Sequence, residues 1–225
     1  MTAAWTPVAL ARDLPPLGVM PVCVDGLDVA LWRSASGRLA AWADRCPHRG
    51  MRLSHGFVRG EALSCIYHGW SYGSEGHCLR IPAHPDLAPP EAIRVPMFQV
   101  TEGHGVIWVA SQTPGGAHPA VEGSALRSLT VDAAVDWSAA GFSVADGLAR
   151  GHLSGVAVTL LVQPLPQGRT ALHALADSAA FILSPADGAV SQLGPTSGGR
   201  IIQAKGRDYS VAVILGCSAA EAARF

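Results

Sequence analysis

Two short segments of this sequence each combine one cysteine with one histidine. One residue separates Cys46 from His48 and, after sixteen intervening residues, two residues separate Cys65 from His68. In each segment a thiolate and an imidazole leave the backbone from nearly the same place, so two such loops brought together supply two sulfur and two nitrogen ligands. This pattern predicts a metal centre held by Cys46, His48, Cys65 and His68.

Two kinds of metal centre use this ligand set. In a Rieske-type [2Fe-2S] cluster, two cysteines bind one iron and two histidines bind the other. A Cys2His2 zinc site places the same ligands around one tetrahedral ion, but it usually pairs like ligands in sequence, as C-x2–4-C and H-x3–5-H. Because each segment here mixes a cysteine with a histidine, the pattern favours the Rieske-type cluster, and zinc remains the alternative.

The residues around these ligands resemble the N-terminal Rieske domain of the ring-hydroxylating oxygenases, especially its demethylase-like members. The resemblance is carried by Arg-Cys-Pro-His-Arg-Gly at 45–50 and by Cys-Ile-Tyr-His-Gly-Trp at 65–70. It runs from about Trp5 to Gln112. It implies an antiparallel β domain that binds a [2Fe-2S] cluster through the four ligands and carries single electrons.

The respiratory Rieske proteins are less similar to this chain. They carry a further cysteine in each cluster loop, joined as a disulfide, and the matching positions here are Met51 and Tyr67. They also have a serine after the second His-Gly pair, where this chain has Trp70. Losing that hydroxyl removes a hydrogen bond that favours the reduced cluster, so the resemblance implies a lower reduction potential, suited to supplying an oxygen-activating iron.

Other conspicuous residues near the loops have ordinary structural interpretations. Asp44 and Arg45 directly precede the first loop, and we expect an ordinary surface ion pair there, with contacts near the cluster or to a partner as the alternative. Trp32, Trp42 and Trp108 fall within apolar runs, and we expect them in the core.

Short apolar runs broken by glycine-containing turns predict the elements that position the two loops. Such turns occur at Asp25-Gly26, Ser36-Gly37, 74–76 and 103–105, an interval typical of small antiparallel sheets. We therefore predict a mainly β chain in three parts. Residues 1–115 form the Rieske domain, 116–127 form a linker, and 128–225 form a shortened relic of the oxygenase catalytic domain, with a truncated α+β, helix-grip-like fold.

In the resembling family the catalytic domain binds a mononuclear iron through two histidines and a carboxylate, the two histidines lying five residues apart on one helix. Residues 145–157 resemble that stretch in a worn form. His152 matches the first ligand, Ala157 stands in place of the second, and Ala149 stands in place of an aspartate that bridges subunits. Since one imidazole cannot complete a 2-His-1-carboxylate site, we do not expect a mononuclear iron in this chain.

Composition narrows the possible partners and compartment. The net charge is −1 with a pI of about 6.7, so nothing indicates a nucleic-acid or anionic membrane surface. Apolar runs are far shorter than the roughly 20 residues of a membrane-spanning helix. The first ten residues lack the features of a signal peptide, and five scattered cysteines do not form a disulfide framework. We expect a soluble cytoplasmic protein.

These observations lead to one main functional hypothesis. The chain is expected to be an electron-transfer component that takes electrons from a reductase or ferredoxin and passes them to a partner oxygenase subunit with its own mononuclear iron, within a trimer or a hetero-oligomer. As an oxidoreductase component, it is not expected to be catalytic alone. The alternatives are a small terminal Rieske oxygenase (a hydroxylase or demethylase) and a structural subunit of an oxygenase assembly.

Overall fold

The computed structural model describes residues 4–131, 137, 141–153 and 156–176. These residues belong to two β units that divide between Pro119 and Ala120. The helical elements among the described residues are 3-10 turns at Ala11–Asp13, Leu53–His55 and Pro166–Gly168. The prediction of a mainly β chain is confirmed, whereas the described part of the second unit contains no α-helix to match the predicted α+β fold.

The first unit consists of ten antiparallel strands in two sheets. In chain order they are β1 (Thr6–Leu10), β2 (Val19–Val24), β3 (Leu27–Arg33), β4 (Leu39–Ala43), β5 (Phe57–Arg59), β6 (Ala62–Ser64), β7 (Ser71–Gly73), β8 (Cys78–Arg80), β9 (Met97–Gly103) and β10 (Val106–Ala110). The six-stranded sheet has the order β1-β10-β9-β4-β3-β2, and the four-stranded sheet has the order β5-β6-β7-β8.

Tight turns at the predicted positions set the register of the larger sheet. Asp25 and Gly26 have φ of 51° and 78° between β2 and β3. His104 and Gly105 have φ of 55° and 74° between β9 and β10. Two successive residues with positive φ are the requirement of a type I′ hairpin turn, whose twist matches that of the paired strands.

Strand β3 lies between β4 and β2 and is buried on both faces at residues 29–32, which accounts for the unbroken apolar run there. Ala30 and Trp32 face a core shared with residues of the smaller sheet, and Val29 and Leu31 face a second core. The first of these cores also contains Cys46 and Cys65. The three tryptophans expected in the core are buried there or in the neighbouring strands: Trp32, Trp42 and Trp108.

The second unit has one five-stranded antiparallel sheet with the order β11-β15-β14-β13-β12. Its strands are β11 (Ser124–Val131), β12 (Ser143–Ala145), β13 (Leu148–Leu153), β14 (Val156–Pro164) and β15 (Thr170–Ala176). Strand β11 therefore begins at Ser124, inside the segment 116–127 that was predicted to be a linker. Residues 177–225, which belong to the predicted relic, lie outside the described residues.

The stretch 145–157 resembles the family's iron-binding helix, but its described residues lie in β12, β13 and β14 and in the turn between β12 and β13. Asp146 and Gly147 take positive φ of 52° and 75° and turn β12 into β13. His152 in β13 pairs directly with Ala157 in β14. The helix of the resembling family is therefore absent from the described residues of this stretch, where the local sequence has a turn signal and extended partners.

Buried Asp44 ties the end of β4 to the 3-10 turn that follows the first cysteine-histidine loop. Its carboxylate accepts hydrogen bonds from the Ser54 amide at 2.7 Å and the Ser54 hydroxyl at 2.6 Å. The Arg52 guanidinium lies 3.5 Å from the same carboxylate and 2.7 Å from that of exposed Asp28. The expected surface ion pair is thus wrong for Asp44, which fixes both ends of the loop.

We expect Asp44→Ala to lower the free energy of unfolding by about 2–4 kcal/mol, because it leaves two buried Ser54 donors without their acceptor. The matched control is Asp28→Ala, which removes the exposed partner of the same arginine and should cost about 0–1 kcal/mol. Urea unfolding of the two variants and the parent protein measures the difference. Equal losses in the two variants would contradict the anchoring role.

Candidate metal centre

The first predicted ligand loop is closed by two backbone hydrogen bonds centred on Cys46. The Cys46 amide donates to the Met51 carbonyl at 2.8 Å, and the Gly50 amide donates to the Cys46 carbonyl at 2.8 Å. Gly50 has a φ of +74°, a conformation that side-chain-bearing residues rarely adopt. The loop therefore needs a glycine at this position.

The second loop, between β6 and β7, repeats this pattern around Cys65. The Cys65 amide donates to the Trp70 carbonyl at 2.9 Å, and the Gly69 amide donates to the Cys65 carbonyl at 3.0 Å. Gly69 has a φ of +70°. Because the two loops share one backbone design, their cysteines occupy equivalent positions, and each loop presents a histidine two or three residues later.

The four predicted ligands differ in depth. Cys46 and Cys65 are each only 2% exposed, whereas His48 is half-buried and His68 is exposed. The thiols thus lie in the core of the first unit and the imidazoles lie at its surface. These four side chains could hold a [2Fe-2S] cluster, which would supply one-electron chemistry close to the protein surface.

Like ligands are also paired with like. The imidazole rings of His48 and His68 have centroids 4.6 Å apart at an angle of 67°, and the Cys46 thiol interacts directly with that of Cys65. Two sulfurs together and two nitrogens together suit the two irons of a Rieske cluster. Within the described ranges, no three His, Cys, Asp or Glu side chains are grouped closely enough to hold a single metal ion.

Burial shifts the pKa of two of these ligands, Cys65 and His48. Burial raises the pKa of Cys65, and the adjacent Cys46 adds to the increase. Desolvation lowers the pKa of His48, with smaller contributions from His68 and Arg49. A lowered pKa favours the neutral imidazole, which is the form that binds a metal, and thiols must release their protons when they bind a metal.

Tyr72 is a functional residue that sequence reasoning missed. Its side chain on β7 is fully buried, and its hydroxyl lies 3.1 Å from the Cys46 sulfur. Burial raises the pKa of Tyr72, and its contact with Cys46 raises it further. The hydroxyl therefore stays protonated and can donate to the cysteine thiolate, which compensates in part for the hydroxyl lost where Trp70 replaces serine.

Trp70 connects the two loops. It belongs to the second loop, yet its indole stacks on His48 of the first loop, with ring centroids 4.3 Å apart and an interplanar angle of 4°. The stack fixes the plane of the His48 ring and covers one of its faces against water.

The histidines of the second unit do not form a comparable site among the described residues. His152 is exposed on β13. His173 is buried on β15, with its Nδ1 2.7 Å from the Ser128 hydroxyl and its Nε2 3.3 Å from the Gln163 side-chain oxygen. Both ring nitrogens of His173 are thus engaged by side chains that are not metal ligands.

Comparison with known families gives two matches in different parts of the chain. Residues 4–98 match the Rieske [2Fe-2S] domain. Residues 168–225 match phosphatidylserine decarboxylase, and the structure describes only the first nine of them, mainly as β15. The second match overlaps the segment predicted as an oxygenase relic, so residues 168–225 have two competing interpretations.

Curated relatives are similar over about half of the chain. Oxidoreductase NdmD of Pseudomonas putida is 42% identical over 142 residues, which cover 59% of this chain and 24% of that protein. The 4beta-methylsterol monooxygenase of Methylococcus capsulatus is 38% identical over 130 residues (53% and 35%). Methylxanthine N1-demethylase NdmA of Pseudomonas putida is 37% identical over 109 residues (47% and 31%). The chain thus spans about a quarter to a third of these relatives.

Solved structures show the same relationship at the level of the fold. NdmA with caffeine, from Pseudomonas putida, has a TM-score of 0.62 at 19% identity, covering 79% of this chain and 76% of that one. Apo dicamba monooxygenase has a TM-score of 0.62 at 20% identity (77% and 75%). Since the first unit is only about half of the chain, the likeness extends into the second sheet.

In the described residues no helix is both long and apolar enough to cross a membrane. The repeated loops, the buried thiols and the surface imidazoles agree with the domain match at 4–98. The demethylase and monooxygenase relatives match about half of the chain, and the oxygenase structural neighbours share its fold. The chain therefore carries a Rieske [2Fe-2S] domain at residues 4–98.

Proposed function

We propose that this chain is the electron-transfer component of an oxygenase system, and that Cys46, His48, Cys65 and His68 hold its [2Fe-2S] cluster. The observation that carries the proposal is the pairing of two buried thiols beneath two surface imidazoles. When bound, the cluster supplies reversible one-electron chemistry. The electron donor is a reductase or ferredoxin, and the acceptor is a mononuclear-iron oxygenase subunit in a trimer or hetero-oligomer.

The chain's own residues have separate tasks in this function. Cys46 and Cys65 hold the inner iron away from solvent, and His48 and His68 bring the outer iron to the surface. Trp70 keeps the His48 ring in one orientation. Tyr72 stabilises the extra negative charge of the reduced state by donating a hydrogen bond to the Cys46 sulfur.

The second unit supports placing the oxygen chemistry in a partner. At the position that resembles the family's ligand pair, exposed His152 faces Ala157 across a hairpin, and alanine cannot bind iron. We therefore propose that this unit is a relic of the catalytic domain that does not hold its own mononuclear iron. Residues 168–225 also match phosphatidylserine decarboxylase, which is a competing interpretation of this part of the chain.

A second candidate function is a terminal oxygenase with its own mononuclear iron. It is favoured by the fold likeness to NdmA and dicamba monooxygenase, which covers more than three quarters of this chain. The two candidates differ in the metal that the purified chain carries.

We expect two irons and two acid-labile sulfides per chain, with a rhombic EPR signal after reduction by dithionite, because a Rieske centre has two irons and mixed ligands. Metal and sulfide analysis of the intact chain measures this directly. A third iron would favour the terminal oxygenase. Zinc without sulfide would overturn the proposal.

We expect Cys65→Ser to lose the cluster, since the variant lacks one of the two thiolates that hold the inner iron. Cys78→Ser is the matched control, because Cys78 is buried in the same core but its sulfur faces the Arg80 carbonyl at 3.7 Å. Iron and sulfide should fall to near zero in the first variant and stay at the parent level in the second. Retention of the cluster in Cys65→Ser would refute the ligand assignment.

We expect Tyr72→Phe to lower the reduction potential by about 50 mV. A hydrogen bond of about 1 kcal/mol that favours the reduced state corresponds to a shift of this size for one electron. Tyr67→Phe is the control, because Tyr67 loses the same hydroxyl from a side chain that is 56% exposed. A redox titration followed by EPR measures both variants, and equal potentials in the parent and Tyr72→Phe would exclude this role.

A further inference from the structure

A surface groove of about 380 Å³ lies beside His48 in the first unit. Three arginines contribute to its walls together with the first ligand loop. The charged and ring-bearing lining residues are Arg45, Arg49, Arg94, His48, Pro47 and Pro96. No acidic side chain lines the groove, so its charge is entirely positive.

The arginines of the groove differ from most others in the same unit in having no carboxylate partner. Away from the groove, guanidinium groups are paired with acids, as in Arg33–Glu102, Arg38–Glu75 and Arg52–Asp28. For the exposed arginines 45, 49 and 94, the described residues provide no ion pair. Arg94 donates instead to His77 Nδ1 at 3.0 Å. Three positive charges are thus available to an external anion.

This positive charge is local. Residues 1–119 contain nine arginines, no lysine and nine acidic residues, so the first unit is close to neutral as a whole. Like charges gathered in one groove repel each other, and an approaching anionic surface removes that repulsion. The local excess therefore distinguishes this face from the rest of the unit.

We propose that this groove is the docking surface for the acidic electron-carrier protein that reduces the cluster. The inference rests on the proposed function, because it needs His48 to bind the outer iron. Carboxylates of the carrier contact the arginines and bring its redox centre beside His48. One electron passes from the reduced carrier to the oxidised cluster, so the carrier is oxidised and the cluster reduced, with no bond or proton transferred.

The exposure of the arginines indicates a protein surface rather than a small anion as the occupant. A site for a small anion surrounds it with buried donors, whereas all three guanidinium groups here are open to solvent. Arginine is also enriched in protein interfaces. The second ligand loop, residues 65–70, contains no charged residue, so electrostatic docking of the carrier favours the first loop.

The test uses stopped-flow reduction of the oxidised, cluster-loaded full chain by a reduced plant-type [2Fe-2S] ferredoxin, an acidic protein. The variant is the double substitution Arg49→Glu and Arg94→Glu. Arg59→Glu is a charge-reversal control outside the groove, because exposed Arg59 lies over Phe57 at 4.7 Å and does not line the groove. Iron, sulfide, EPR signal and reduction potential are first measured in all proteins.

We expect the bimolecular rate constant at low salt to fall at least about tenfold in the double variant and to change less than about twofold in Arg59→Glu, since steering by opposite charges raises association rates by such factors. Added NaCl should slow reduction of the parent protein by the ferredoxin and reduce the difference in rate between the parent and the double variant. Reduction by photoreduced 5-deazaflavin, which is uncharged, should be equal in all three proteins.

With a basic protein as electron acceptor, we expect the double variant to change the rate in the opposite direction. Electron transfer from the reduced chain to ferricytochrome c, a basic protein, should be faster in the double variant than in the parent. Equal effects of the double variant and Arg59→Glu, or a rate that does not depend on salt, would overturn the docking surface while leaving the cluster assignment intact. Stronger inhibition by phosphate than by NaCl at the same ionic strength would overturn it in favour of a small-anion site. Absence of a cluster in the parent would instead defeat the proposed function.

Discussion

Two thiols that become anionic when they bind metal lie side by side inside an apolar core, and the rest of the first unit depends on this arrangement. Burying such charges is costly unless partners surround them. Cys46 has the Tyr72 hydroxyl as one partner. Each cysteine also lies at the centre of a loop closed by backbone hydrogen bonds, and the two sheets bring these loops together. The imidazoles need no such shelter, and they remain at the surface.

The ligands of the candidate centre could be predicted because they are local. A cysteine and a histidine within one short loop are predicted from their spacing alone to bind the same metal centre. The turns at Asp25-Gly26 and at 103–105 are likewise predicted from neighbouring residues. Tyr72 could not be predicted in this way, since its contact with Cys46 joins residues 26 positions apart. The burial of Asp44 depends in the same way on Ser54 and on the packing of the loop between them.

In the second unit, by contrast, the ligand spacing taken from the resembling family did not indicate the local structure. The distance from His152 to Ala157 suits a family helix, but hydrogen bonding within the hairpin of β13 and β14 decides the structure. Turn chemistry at Asp146 was the local signal for that outcome. The likeness to oxygenase structures extends into this sheet, while residues 168–225 also match a decarboxylase family. Different parts of the second half of the chain are therefore similar to different protein families.

The stack of Trp70 on His48 has a consequence for how the metal centre forms. Because one ring belongs to each loop, the loops hold each other through a contact of their own, independent of iron and sulfide. Incoming metal then meets ligands whose relative positions are already restricted, which reduces the conformational entropy lost on binding. Separating the two loops would break this stack and expose the covered face of the His48 ring to solvent.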